Sequence, residues 1–159
     1  MTLLRELTTA DAPAVQRVYG SVAGRFAATT DPMGPAAAVA WTTYVLGQGR
    51  IRMPVRYSLA IDAGDGLIGL ITLHRTTPDE AEIGYVLHRD ARGRGYATGA
   101  VAEALTLAFT TLGVRSVRAR HRPGNDASGR VLVRNGFMRT TSPDHYVRYV
   151  RRRERRLSG

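Results

Sequence analysis

Apolar residues along this chain recur with two periods, and the switches between them outline its elements. Residues 3–7 are strand-like, and Thr8-Thr9-Ala10-Asp11 then supplies N-cap chemistry with a carboxylate in the first turn of a helix ending near Gly20. Residues 21–35 read as a loop punctuated by Gly24, Pro32, Gly34 and Pro35. A second helix is predicted over 36–46, with Trp41, Tyr44, Val45 and Leu46 as its larger apolar residues and Gly47 and Gly49 ending it. Residues 56–61 and 67–73 are strands joined by the hairpin signal Asp62-Ala63-Gly64-Asp65-Gly66. A turn at Thr76-Thr77-Pro78-Asp79 leads to a third strand over 81–87, completing an antiparallel meander. Residues 98–112 place Val101, Leu105, Ala108 and Leu112 at helical spacing, with Glu103, Thr106 and Thr110 largely opposite and Gly113 as C-cap. A strand over 114–121 follows, and a strand–helix–strand unit predicts parallel pairing through a right-handed crossover. Asn125 or Asp126 caps a last helix through Asn135, closed by Gly136, and 137–139 with 145–150 form a terminal hairpin around Pro143-Asp144. The fold class is α/β, a mixed and largely antiparallel sheet with one parallel strand pair.

Between the third strand and the following helix lies Arg92-Gly93-Arg94-Gly95-Tyr96-Ala97. A glycine-spaced turn that opens a helix presents unpaired backbone N–H groups at the positive end of the helix dipole. Such a turn holds a phosphate or pyrophosphate, and a Cβ would block both its geometry and the ligand's approach. Alone, the motif is equally an ordinary strand-to-helix loop.

The 159 residues suffice for one buried core, and the chain reads as a single domain, 1–159, with a basic tail over about 151–159. Composition is that of a globular protein, and no apolar run is long enough to cross a bilayer. Residues 1–6 lack the basic and apolar regions of a secretion signal, so a soluble cytoplasmic protein that binds no membrane is expected. Cysteine is absent, which excludes disulfides, thiolate nucleophiles and cysteine metal sites; no metal is expected. All 23 basic residues are arginine, and the formal net charge is +10. Six arginines face Glu154 alone within residues 148–159, a run that either touches nucleic acid or an acidic partner or simply frays into solvent.

A set of matching pieces runs through most of the chain. They are Gly69, then Ala81-Glu82-Ile83-Gly84-Tyr85-Val86-Leu87, then Arg92-Gly93-Arg94-Gly95-Tyr96-Ala97-Thr98, Asn125-Asp126-Ala127-Ser128, Val131-Leu132 and Asn135-Gly136-Phe137. In these the chain resembles the GNAT superfamily of N-acetyltransferases, in particular the branch containing the ribosomal-protein N-terminal acetyltransferases. The family's turn pattern, Gln/Arg-x-x-Gly-x-Gly/Ala, is met by Arg92, Gly95 and Ala97. The resemblance implies about four helices flanking a sheet that splays around acetyl-CoA. It implies that the pyrophosphate sits on the N–H groups of Gly93, Arg94, Gly95, Tyr96, Ala97 and Thr98. The pantetheine arm would run along Tyr85, Val86 and Leu87 in an opening produced by a bulge and a splay, and Asn125 would contact it, or serve only as a helix N-cap.

In this family the amine attacks the thioester directly, so the missing cysteine is no obstacle. A backbone N–H near Val86 or Leu87 is the expected donor to the thioester oxygen. Glu82 is the first candidate for the general base, on the strand face shared with Gly84 and Val86. His74 and His121 are the other candidates. Many relatives carry an acid tyrosine four residues before the glycine of the Gly-Phe pair, and Leu132 stands there in this sequence. Ser128 is the substitute, with helix capping as its bland alternative and water as another proton source.

The leading expectation is therefore an acetyl-CoA-dependent acyltransferase acting on a primary amine, either a protein N-terminus or a small molecule. High positive charge disfavours polycationic acceptors and modestly favours an acceptor near RNA. One alternative is a CoA-binding regulatory domain without catalysis, made thinkable by Leu132. Another is an arginine-rich nucleic-acid-binding module, against which stand the few aromatics; nucleic acid is not the expected substrate. Exposed edges of such a sheet can pair two copies into a homodimer.

Overall fold

Residues 2–22, 34–48 and 56–155 are described in the computed structural model of this chain. They form β1 (Leu4–Arg5), α1 (Ala12–Val22), α2 (Pro35–Gln48), β2 (Arg56–Asp62), β3 (Leu67–Thr77), β4 (Glu80–Leu87), α3 (Tyr96–Thr110), β5 (Ser116–His121), α4 (Asp126–Arg134), β6 (Met138–Thr140) and β7 (Val147–Arg152). One seven-stranded sheet has the order β1-β2-β3-β4-β5-β7-β6, antiparallel throughout except for the β4–β5 pair. The meander, the parallel crossover and the terminal hairpin lie where the hydrophobic pattern predicts them.

Period-two alternation gives the sheet two apolar faces, and helices cover each. Ile71, Leu73, Ala81, Ile83 and Leu87 pack with Ala100, Val101, Ala104, Leu105 and Ala108 of α3 and Leu132 of α4. On the opposite face Leu7, Val15, Val45, Ala60 and Leu70 form a smaller cluster, joined by Tyr19, Trp41 and Val86. In α2 the buried positions are Ala38, Thr42 and Val45, while Tyr44 is exposed. Thr42 can be buried because its hydroxyl donates to the Ala38 carbonyl. Gly47 lies inside α2 rather than after it; residues 23–33, most of the loop expected over 21–35, and Gly49 lie outside the described residues.

The N-terminal strand is shorter than its pattern because polar groups end it. Asp11 accepts the Thr8 N–H at 2.8 Å and turns the chain into a 3-10 turn at Thr9–Asp11 that leads into α1. Arg5 meets both oxygens of Asp11 at 2.9 Å and reaches Asp62 through Nε at 2.8 Å. Glu103, expected on the polar face of its helix, instead accepts the N–H groups of Leu3 and Leu4 at 2.8–3.0 Å. α3 starts two residues earlier than predicted and α1 runs two residues beyond Gly20. Arg151 and Arg152, read as tail, belong to β7 and pair with Val117 and Ser116.

Arg5 holds the Asp11 and Asp62 carboxyls below the usual carboxylate range. Their contribution to stability is therefore complete above that range and is lost as pH falls through the lowered folded values. Arg5→Met leaves the nearly buried Asp11 without its partner and should cost about 1–3 kcal/mol at neutral pH. Chemical denaturation across pH 7 to 2 should show this, with a flatter acid limb in the variant than in the parent.

Candidate active site

Three consecutive pairs, Glu80↔Ser116, Ala81↔Val117 and Glu82↔Arg118, make up the whole β4–β5 ladder. Past them the strands part, while β5 stays paired with β7 as far as His121. A slot therefore opens between residues 84–87 and 119–121, at the C-terminal ends of two parallel strands, where ligands of such sheets commonly enter. The β3–β4 ladder is regular from Ala81 to Leu87, and its register shift falls near Thr76 in β3. The expected bulge is thus displaced to the closed end of the sheet, and the slot arises from the splay alone.

Backbone alternation decides which peptide groups line the slot. The His88 N–H donates to the Ile68 carbonyl at 2.7 Å, so Val86 and Gly84 likewise turn toward β3. Tyr85 and Leu87 turn their N–H and C=O groups to the side that β5 has left. Of the two N–H donors expected near the thioester, Leu87 thus faces the slot and Val86 does not; the Val86 side chain packs toward α1 and α2. Gly69, paired with Leu87, permits this approach: a Cβ there would stand 2.5 Å from the Val86 oxygen and 2.7 Å from Leu87 Cδ2.

The slot ends on two helix N-termini, because both parallel strands feed helices there. After β4, Gly93 and Gly95 adopt φ of 75° and 82°, a region that disfavours side chains, and Gly95 caps α3. The first bond of that helix runs from the Gly99 N–H to the Gly95 carbonyl, which leaves the N–H groups of Tyr96, Ala97 and Thr98 without intrahelical partners. Arg92 and Arg94 are exposed beside them. After β5, Asn125 caps α4: its oxygen accepts the Ser128 N–H at 3.5 Å and its amide donates to the Ser128 hydroxyl at 3.4 Å.

Two side-chain links cross the slot near its root, one on each face. On the α4 face the Tyr85 hydroxyl donates to the Ser128 carbonyl at 3.3 Å, and burial pushes that phenol up to about 12. On the opposite face Glu82 meets Arg120 Nε at 3.3 Å. Among the described residues no hydrogen bond reaches the second Glu82 oxygen, and His74 stands directly opposite Glu82 on β3, on the same face. His121 does not point into the slot. Its Nδ1 faces the Arg122 carbonyl at 2.8 Å, an acceptor, so in the neutral ring Nδ1 carries the proton and Nε2 accepts from the Tyr149 hydroxyl at 3.0 Å. Leu132 is fully buried in the core. Sequence reasoning missed the Tyr85 hydroxyl and Arg120, for which strand parity was the available signal.

The acetyltransferase (GNAT) domain family matches residues 2–138. The chain belongs to this family. Its curated match within the family is 30% identical over 86 residues, an uncharacterised N-acetyltransferase p20 of Bacillus licheniformis. That alignment takes in 53% of this chain and 48% of the relative, so the chain spans about half the length of the curated relative it matches. Two solved structures superpose well. RimJ of Mycobacterium smegmatis, in complex with CoA-disulfide, gives a TM-score of 0.81 at 20% identity over 94% of this chain and 80% of that one. RimL, a ribosomal L7/L12 alpha-N-protein acetyltransferase in complex with coenzyme A, gives 0.83 at 17% identity over 96% and 95%. At these identities the likeness establishes the fold.

Gly69→Ala should push β4 away from β3, lower stability by about 1–3 kcal/mol and distort the slot. A thermal melt and coenzyme A titration of the same variant should both worsen, whereas a glycine without a packing role would change neither.

Proposed function

We propose that this chain is an acetyl-CoA-dependent N-acetyltransferase, acting as one unit over residues 1–159 on a primary amine. The observation that carries this reading is the slot, with open strand peptide groups along one wall and the α3 N-terminus at its mouth. A pyrophosphate fits the N–H groups around Gly93, Arg94, Gly95, Tyr96, Ala97 and Thr98, with Arg92 flanking it. A pantetheine arm carries amides that pair with Tyr85 and Leu87 as an extra strand would, and Asn125 retains donor capacity toward it.

The chemistry needs no acyl-enzyme. The neutral amine attacks the thioester carbonyl carbon, the C–N bond forms as the C–S bond breaks, one proton leaves nitrogen and one is gained by sulfur. The Leu87 N–H is placed to stabilise the oxyanion. Glu82, through its free oxygen or a water, takes the proton, and His74 beside it is the second candidate. The Ser128 hydroxyl accepts from Asn125 and so keeps its own hydrogen to donate toward sulfur, with water as the alternative. The acceptor is a protein N-terminus or a small-molecule amine. Its fold neighbours RimJ and RimL favour the first.

Thiol release from acetyl-CoA in the presence of amines and peptides tests this. Glu82→Gln should lower kcat roughly a hundredfold with acetyl-CoA affinity unchanged. Gly95→Val should abolish acetyl-CoA binding, because a side chain cannot adopt the turn or leave room for the phosphates. Tight coenzyme A binding without turnover of any amine would favour a regulatory domain instead, in keeping with Leu132.

A further inference from the structure

Gly84 has no structural reason to be glycine. It lies mid-strand in β4 without a positive φ, is exposed, and a Cβ there would meet nothing within 4 Å among the described residues. Glycine in a strand interior weakens the strand, and where it is retained it often marks a place where a ligand or another backbone comes close. Its missing side chain would stand on the face of Glu82, opposite Thr72 and at the lip of the slot. That is the face from which an amine can reach a thioester lying in the plane of the sheet.

The same face carries two arginines with an unusual arrangement. Arg118 donates through Nε to Glu80 at 2.7 Å, and Arg120 is paired through Nε with Glu82 at 3.3 Å. The Arg120 guanidinium also lies 4.5 Å from the Tyr146 ring centroid, stacked over it. In both residues the Nε edge is engaged while the terminal nitrogens have no partner among the described residues, and the side chains are 50% and 44% exposed. The free end-on edge of a guanidinium matches a carboxylate in bidentate fashion, and a pinned guanidinium loses little freedom on binding. Residues two apart on a strand lie roughly 6.6 Å apart, the repeat of alternate side chains in an extended peptide. Arg120 stands level with Gly84 across the slot, because Glu82 pairs with Arg118.

We propose that Gly84, Arg118 and Arg120 form the acceptor floor. The floor takes an extended peptide N-terminus whose α-amine passes over the bare backbone of Gly84 and whose acidic side chains meet the two guanidinium forks. Glu80 and Glu82 then position the arginines, in addition to the role given to Glu82 above. This assignment rests on the acetyltransferase reading and narrows its acceptor to acidic peptides.

The test uses the full chain, acetyl-CoA and three synthetic peptides, Ser-Asp-Gly-Asp, Ser-Asn-Gly-Asn and Ser-Arg-Gly-Arg, with thiol release and calorimetric acetyl-CoA binding as separate readouts. The expected order of kcat/KM is acidic, then neutral, then basic. Arg118→Gln/Arg120→Gln should reduce the ratio of kcat/KM for the acidic peptide to that for the neutral one roughly tenfold or more. Gly84→Val, and more mildly Gly84→Ala, should lower kcat/KM for all three by roughly tenfold with melting temperature and acetyl-CoA affinity retained. A preference for the neutral or basic peptide, an acidic preference that survives the double variant, or an unimpaired Gly84→Val would each overturn the proposal. So would acetyl-CoA binding without turnover of any of the peptides. Failure of the parent chain to bind acetyl-CoA at all would overturn the acetyltransferase reading beneath it.

Discussion

The β4–β5 ladder stops after three pairs, and nearly every other feature of the site depends on that interruption. Strand edges carry obligatory donors and acceptors, so a strand that loses its neighbour leaves peptide groups that must find another partner. Here β5 leaves β4 but keeps β7 along its whole length, so the sheet divides into two arms hinged at Glu80–Glu82 and Ser116–Arg118. The exposed groups of Tyr85 and Leu87 then call for a strand-like ligand with amides of its own. Because both parted strands run in the same direction, both following helices begin at the open end. Antiparallel strands would have sent one of those N-termini to the far side of the sheet.

An interrupted ladder is also a weakness, and the chain offsets it with side chains. The Glu82–Arg120 pair lies on one face of the slot root and the Tyr85–Ser128 hydrogen bond on the other. Neither is strong alone: the ion pair is partly exposed, and such pairs contribute about 0–1 kcal/mol. Their value lies in geometry, since two links on opposite faces resist both opening and twisting of the arms. The wider frame is held by Arg5, which joins β1, the turn before α1 and the end of β2.

Much of this was legible in the sequence wherever a pattern has one physical cause. Alternation along residues 56–87 marked the strands, the glycine turn marked the start of a helix, and of the two caps open to α4, Asn125 or Asp126, the structure uses Asn125. Boundaries failed where tertiary partners intervened. The β1 strand stops because Arg5 turns to two aspartates, and Glu103 leaves the solvent face because two backbone N–H groups need an acceptor. Side-chain direction failed for His121, whose strand parity sends it into the α4 face toward Tyr149 rather than into the slot. The splay itself is invisible in the sequence, since β5 shows the same alternation in its paired and parted halves.

The two glycines that flank the slot show why residue type alone is a poor guide. Gly69 is glycine because β4 leaves no room for a side chain; Gly84 is glycine although its surroundings are empty. One is explained by the fold, and the other only by something outside it. The hydroxyls divide in a similar way. Leu132 fills the core and offers no proton, and burial pushes the Tyr85 phenol on the α4 wall up to about 12. That phenol already spends its hydrogen on the Ser128 carbonyl, to which it donates at 3.3 Å. In the mechanism proposed above the acid step is assigned to the Ser128 hydroxyl or to water, while Tyr85 links β4 to α4 beside it.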